Sequence, residues 1–216
     1  MRVGILGGTG PLGRGLALRL AAAGTDVVIG SRQAERAADV VGELRGVWSG
    51  RDLPITPAVN EEACSTDLVV LAPPWDAAVP TARDLAEALR GKVVVSVANA
   101  LVRQGREMHA LVPPRGSIAA GVAAALPDSF VAAAGHHLPA GTLADLEAEL
   151  EADVLVCADV EEAKSATIEL FSGIAGLRAL DAGSLASAAA VEAFTAVLVT
   201  LNMRYRAHST LRLAGL

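Results

Sequence analysis

The chain has 216 residues, 52% of them hydrophobic, enough for one large domain, or a main domain with a small second one, around a sizeable buried core. Its formal net charge of −6 argues against general binding to nucleic acid or to an anionic membrane surface, so an anionic ligand has to be held by a local basic site. Cys64 and Cys157 lie far apart in a chain too long to need stapling, and they read as free buried thiols rather than a disulfide.

In chain order, "RVGIL" predicts a short buried strand, "GGTGPLG" a turn, and "LGRGLALRLAAAG" a helix in which Leu12, Leu16 and Leu20 recur at helical spacing before Gly24 ends it. "DVVIG" predicts the next strand, "QAERAADVVGELRG" a helix, "LPITP" a weak strand, "DLVVLAP" a strong one, "TARDLAEALRG" a helix and "KVVVSV" a further strand. Strands and helices alternating in this way, with apolar strands, predict an α/β fold: a Rossmann-type, doubly wound parallel sheet covered on both faces. Beyond about residue 100 the rhythm loosens. "NALVRQGREMHALVPPRG" reads as loop with a helical turn, "GSIAAGVAAALP" as helix, "SFVAAAG" as strand, "LADLEAELEA" as an acidic helix with a solvated face and "DVLVCA" as strand. "VEEAKSATIELFSGIAG" reads as an amphipathic helix, "LRALDAG" as a short extended piece, and residues 184 to about 208 as the longest helix. The expected organisation is a nucleotide-binding domain over 1–140 and a smaller, mainly helical C-terminal domain over 141–216.

The turn contains Gly8-x-Gly10-x-x-Gly13 between the first strand and the first helix. Gly8 permits the tight turn, Gly10 lets the backbone approach a pyrophosphate, Gly13 lets helix and strand pack closely, and the helix N-terminus presents unpaired amides to the anion. Pro11 suits the first helical turn, where its missing donor costs nothing. An acid about 20 residues further on would select NAD, but the tip of the second strand offers Ser31 and Arg32, with Arg36 one helical turn later. Ser31 can donate to a 2′-phosphate, Arg32 can pair with it and stack on adenine, and Arg36 can close the other side, so the expected ligand is NADP(H). The alternative is that both arginines are solvated surface charges.

With these pieces in hand, the chain resembles the NADPH-dependent coenzyme F420 reductases, also called F420-dependent NADP oxidoreductases. The resemblance runs over essentially the whole length, through "GGTGPLGRGLALRLAAAG", "IGSR", "VVLAPPWDAAVPTARDL", "AGHHLPAGTLAD", "DVLVCADVEEAK", "LDAGSLASAAAVEAFTAVL" and "NMRYRAHSTLRLAGL". It implies hydride exchange between NADPH and the deazaflavin coenzyme F420, and a homodimer. It also implies that Thr9, Gly10, Pro11 and Leu12 hold the pyrophosphate, that Ser31, Arg32 and Arg36 hold the 2′-phosphate, and that Trp75 and Val79 flank the nucleotide. His136, His137 and Ala140 would border the nicotinamide and the deazaflavin.

Hydride transfer between two bound rings needs no protein nucleophile and no metal, and the sequence carries neither a metal-ligand spacing nor a nucleophile elbow. His136 and His137 follow a strand end, where α/β ligands gather; one of them could hydrogen-bond a ring carbonyl or carboxamide and balance charge, or the pair could be a capped loop with one exposed imidazole. Pro74 and Trp75 could wall the nicotinamide ribose, or Trp75 could simply begin a helix. After Glu192 the chain has Arg204, Arg206, His208 and Arg212 and no acid, so Arg204 and Arg206 could receive the deazaflavin's phosphate and glutamyl tail, or could serve only the helix C-terminus. An NADPH-dependent reductase of a flavin or a small imine or carbonyl compound, and a non-catalytic NADPH sensor, are the competing readings. No export signal or apolar run of bilayer length is evident, so a cytoplasmic protein is expected.

Overall fold

The computed structural model describes residues 1–216. The elements run β1 (Arg2–Leu6), α1 (Pro11–Ala22), β2 (Asp26–Ser31), α2 (Ala34–Val47), β3 (Ile55–Val59), α3 (Asn60–Ala63), β4 (Leu68–Leu71), α4 (Trp75–Asp84), α5 (Ala86–Leu89) and β5 (Val93–Ser96). They continue with β6 (Leu101–Gln104), β7 (Glu107–Ala110), α6 (Ile118–Ala125), β8 (Phe130–Ala133), α7 (Ala140–Ala144), β9 (Ala152–Ala158), α8 (Glu161–Ser172), β10 (Leu177–Asp181) and α9 (Ala188–Tyr205).

Eight strands form one sheet in the order β10-β9-β8-β5-β4-β1-β2-β3, parallel throughout except where β9 runs against β8. From β1 the chain winds outward through β2 and β3, then returns and winds the other way through β4, β5 and β8, so the order reverses between β1 and β4. Both faces are apolar because alternate residues of each strand feed different cores: Val3 and Ile5 pack under α1, α2 and α8, whereas Leu6, Val69 and Leu71 pack under α4, α6 and α9. The register fixes the functional edge. Leu6 is level with Gly30 and Leu71, Leu71 with Ser96, and Ser96 with Ala133, so Gly7, Ala72, Val97 and Ala134 leave the sheet along one rim, with Ser31 ending β2 beside them. A crevice at such a reversal is where open α/β sheets bind ligands. Residue 140 falls between β8 and β9, where the strand direction reverses, and β9 and β10 extend the same sheet.

Three local expectations are corrected. Residues 101–110 are an antiparallel hairpin, not loop with a helical turn: Gln104 faces Glu107, and Gly105, at φ 60°, takes the first place of the two-residue turn, which favours glycine. "LADLEAELEA" does not form a helix. The helix there is the single short α7; Asp145 is already extended, and Arg19 of α1 ties the segment down in this non-helical course by donating to the carbonyls of Thr142, Leu143, Asp145 and Ala148 at 2.5–3.2 Å. The helix after "APPW" begins at Trp75, ahead of the predicted start. In addition, the 3-10 turn at Leu185–Ser187 and α9 together make a helical stretch of 21 residues, long and apolar enough by length and composition to cross a membrane, unlike the shorter runs read from the sequence; here it carries the buried Glu192 and packs under the sheet.

The C-terminal tail is tied to the sheet by Asp153 of β9. Its buried carboxylate accepts from Arg178 through two hydrogen bonds of 2.8 Å and from the Leu213 backbone at 2.6 Å, while its own backbone amide donates to Leu211. These hydrogen bonds, led by that from Arg178, hold the Asp153 pKa down to about 2. A carboxyl whose folded pKa lies below its unfolded one stabilises the protein above the unfolded value, and that contribution fades as the pH falls through the folded value. Asp153→Asn should therefore lower the thermal midpoint at neutral pH and flatten the loss of stability between about pH 4 and pH 2. Parallel acid-melting curves for wild type and variant would refute the assignment.

Candidate functional site

The glycine turn sits at the rim where β1 gives way to α1. A Cβ on Gly8 would lie 2.8 Å from the Ile5 carbonyl oxygen, and one on Gly13 would lie 2.6 Å from the Gly8 Cα, so both glycines are required by contact. Gly7 combines a φ of 71° with close approach to Pro73, which brings the "APPW" segment against the turn. Gly10 differs from all of these. A Cβ there would meet only the Gly7 carbonyl oxygen, at 3.4 Å, so no protein atom demands a glycine and the open space beside it is left for a ligand. Gly10 caps α1 in extended conformation, Pro11 takes the first helical position, and the amides of Leu12 and Gly13 donate to no backbone acceptor. Arg14 braces the turn by donating to the Thr9 carbonyl at 3.0 Å and pairing with Glu43 of α2. A positive helix end with free amides beside an open cradle fits a pyrophosphate.

At the neighbouring strand end Ser31 is buried and its hydroxyl oxygen accepts from the Gln33 amide at 3.3 Å, which leaves the hydroxyl proton free to donate. Arg32 and Arg36 are exposed and enter none of the chain's ion pairs. Asn60, unremarked in the sequence, lies behind this corner with its side-chain oxygen buried, unpaired and close to Gly30.

Pro74 caps α4, Trp75 opens it with its ring partly exposed at the rim, and Val79 faces α6, where only a glycine, Gly121, leaves room for it. Val79 thus packs between helices, and Pro74 and Trp75 are the members of that trio nearest the turn. Ala140 opens α7, whose carbonyl oxygen and Leu143 press on Gly15 of α1, one turn from the cradle.

The histidines are both buried, so neither is the exposed imidazole of a capped loop. His137 reaches the Val191 carbonyl of α9 with Nε2 at 2.9 Å and sets its ring edge-on to Phe194. Because a carbonyl only accepts, Nε2 carries the proton. Neither ring nitrogen of His136 has a well-formed hydrogen bond, the Val97 backbone offering only a weak one that opposes the shift, and burial, reinforced by its neighbour His137, pushes its pKa down to about 3. It is a neutral ring, so it cannot balance charge as a cation; a hydrogen bond from the neutral form is the role left to it. A buried polar group with no partner is uncommon and marks a place where a ligand could complete the bonding. Its backbone carbonyl is held by Asn99 at 3.2 Å and by Thr195 of α9 at 3.3 Å.

Electrostatics separate the helix ends at this rim. Glu192 of α9 fills the N-terminus of α6, accepting from the amides of Ile118 at 2.8 Å and Ala119 at 3.0 Å, and burial raises its pKa. The α6 end is already satisfied and the α1 end is free. Arg204 pairs with Glu107 of the hairpin, and Arg206 caps α9. Both cysteines are buried and unpaired with each other, and burial lifts each thiol to about 11, which leaves them unreactive.

The profile of a family described as NADP oxidoreductase, coenzyme F420-dependent, matches residues 2–100. The chain is 36% identical to the F420-dependent NADP reductase of Methanocaldococcus jannaschii, the match covering 97% of this chain and 96% of the relative. It is 35% identical to the enzyme of the same name from Methanothermobacter marburgensis, over 95% and 94% of the two chains. A crystal structure of an F420-dependent NADP-reductase candidate from Arthrobacter sp. FB24 shares the fold at a TM-score of 0.82 and 21% identity, covering 99% of each chain.

Proposed function

The chain belongs to the coenzyme F420-dependent NADP oxidoreductases, and from that membership we propose how its own residues serve hydride exchange between NADPH and the deazaflavin. The observation that carries the reading is the open cradle at Gly10 flanked by two unpaired arginines. The Leu12 and Gly13 amides take the pyrophosphate, with Thr9 and Pro11 shaping the turn. Ser31, Arg32 and Arg36 take the 2′-phosphate, the arginines at no cost in broken internal pairs.

When bound, the two rings would supply the chemistry: a hydride from the reduced nicotinamide carbon to the deazaflavin carbon and a proton from solvent to the deazaflavin ring nitrogen, with no covalent bond to the protein. The protein's part is to bind, to orient and to exclude water. Pro74 and Trp75 wall the nucleotide next to the glycine turn, and Ala140 at the head of α7 closes the side facing α1. His136, neutral and without a well-formed hydrogen bond of its own, offers a ring N–H to a polar ring substituent and carries no charge into the site. His137 orients its neighbour by anchoring the β8 end to α9, so it is a positioning residue.

A homodimer is supported by the stripe of exposed Phe194, Val197 and Leu201 along α9, at helical spacing; sedimentation of the wild type as a monomer at micromolar concentration would refute it. The net charge of −6 and the two free thiols support a reduced, cytoplasmic setting without nucleic-acid or membrane partners; wild-type protein recovered with the membrane fraction, or retained on nucleic acid at physiological salt, would refute it. The function is tested by steady-state oxidation of NADPH with oxidised F420, FMN and FAD in parallel. Turnover confined to the deazaflavin is expected, and turnover with FMN or FAD but not the deazaflavin would overturn the reading.

A further inference from the structure

The hairpin formed by β6 and β7 lies along α9, joined to it by the Met108 amide donating to Thr200 at 2.9 Å. Where the hairpin tip meets the end of α9, a groove of about 340 Å3 is lined by Arg103, Arg106, Met203, Arg204 and Arg206. Four arginines therefore line one concavity, and the acid beside them is Glu107, paired with Arg204 and 3.9 Å from His109. Arg103 braces the turn through the Gly105 carbonyl at 3.1 Å, while Arg106 and Arg206 are engaged by no acceptor side chain.

Arg206 carries a second signal. It is the one non-glycine residue of the chain at positive φ, 53°, at the left-handed cap of α9. Glycine or asparagine takes that conformation at little cost and arginine does not, so a strained arginine there points to a use for its side chain. The helix dipole also favours a cation at this end, but any lysine or arginine within the last turn would supply that without strain, as Arg204 already does.

We propose that this groove is a subsite for a chain of several carboxylates or phosphates, namely the anionic tail of the deazaflavin coenzyme, and that Arg103 and Arg106 of the hairpin bind it together with Arg204 and Arg206. The proposal rests on the hydride-transfer reading. Thr195, which holds the His136 carbonyl, lies nine residues before Arg204, so the groove is ~14 Å along α9 from the ring end of the cleft, a span that a ribityl arm with its phosphate can bridge. Guanidinium groups suit both anions because each can pair with two oxygens at once. The groove sorts acceptors by their tails, not by their rings.

Two variants test it, Arg103→Gln combined with Arg106→Gln, and Arg206→Gly. Each is assayed at saturating NADPH and two salt concentrations, with the tailed coenzyme and with the same deazaflavin cut off after its ribityl chain. The KM for the tailed acceptor should rise about tenfold in each and lose part of its salt dependence, while the KM for the truncated acceptor stays unchanged. Arg206→Gly should also melt no lower than wild type because it relieves the strained cap, so a raised KM cannot be assigned to loss of fold. Equal effects on both acceptors, or none on either, would overturn the subsite. A wild type that uses both acceptors with the same KM would overturn the subsite and leave the hydride reading intact. A wild type that reduces neither would overturn the hydride reading; calorimetric titration with γ-linked triglutamate, bound by wild type and weakened in the double variant, then supports the groove as an oligoanion site, and no binding overturns it.

Discussion

Gly10→Val should abolish binding of NADPH and NADH alike while leaving the fold in place. A Cβ there would touch only the Gly7 carbonyl oxygen, at 3.4 Å, so the backbone admits a side chain at this position, and that side chain would fill the space a pyrophosphate must enter. Affinity should fall by at least about a hundredfold, or roughly 3 kcal/mol. Gly13→Val provides the contrast: a Cβ 2.6 Å from the Gly8 Cα forces the first strand and helix apart, so that variant should lose stability as well as binding. Fluorescence titration and thermal melting of the two variants separate the cases, and normal NADPH binding by Gly10→Val would remove the cradle from the account.

Arg32→Ala should erase most of the preference for NADPH over NADH, and the double change with Arg36→Ala should erase more. A charge-assisted hydrogen bond contributes roughly 1.5 to 3 kcal/mol, and exposure places these arginines toward the lower end, so NADPH affinity should drop about ten- to a hundredfold while NADH affinity stays put. Neither arginine has an internal partner, so their loss should not change the thermal midpoint. A wild type that uses both nucleotides with equal kcat/KM would contradict the assignment of Ser31, Arg32 and Arg36.

The sheet was legible because its strands, buried on both faces, are near-continuous apolar runs such as "LVVL" and "VVVS", and because Gly8, Gly10 and Gly13 mark the first crossover. Sequence could not separate the roles of those glycines; contact distances show two held by packing and one left open. The β6–β7 hairpin was missed because its strands are only four residues each, mixed in polarity and mostly exposed, with no core face to reveal a period of two. The one available signal was glycine at the centre of "RQGRE". Missing the hairpin hid Arg103 and Arg106, so the basic end of the chain looked like two arginines on a helix when four share a groove. The end of α7 was obscured for a different reason: its acids look helical, but the segment is tied down by a distant residue, Arg19, whose bonds to its carbonyls no local pattern announces. The histidine pair was placed at the right strand end. Its chemistry was not legible, because burial decides that His136 is neutral and that His137 is a tether to α9. Glu192 took on a role only when the fold set it against the amides of α6, a long-range contact that no local pattern marks.

The central claim is that hydride passes directly from one bound ring to the other, with the protein only holding, orienting and drying the site. A single anaerobic turnover of NADPH deuterated on the transferring face of its nicotinamide carbon, with oxidised F420 in ordinary water, tests this most directly. The account predicts that the label is found on carbon in the reduced deazaflavin, one deuteron for each NADPH oxidised, with a primary isotope effect on the transfer rate. Label lost to solvent, or hydrogen from water found on the newly reduced ring carbon rather than only on ring nitrogen, would contradict it.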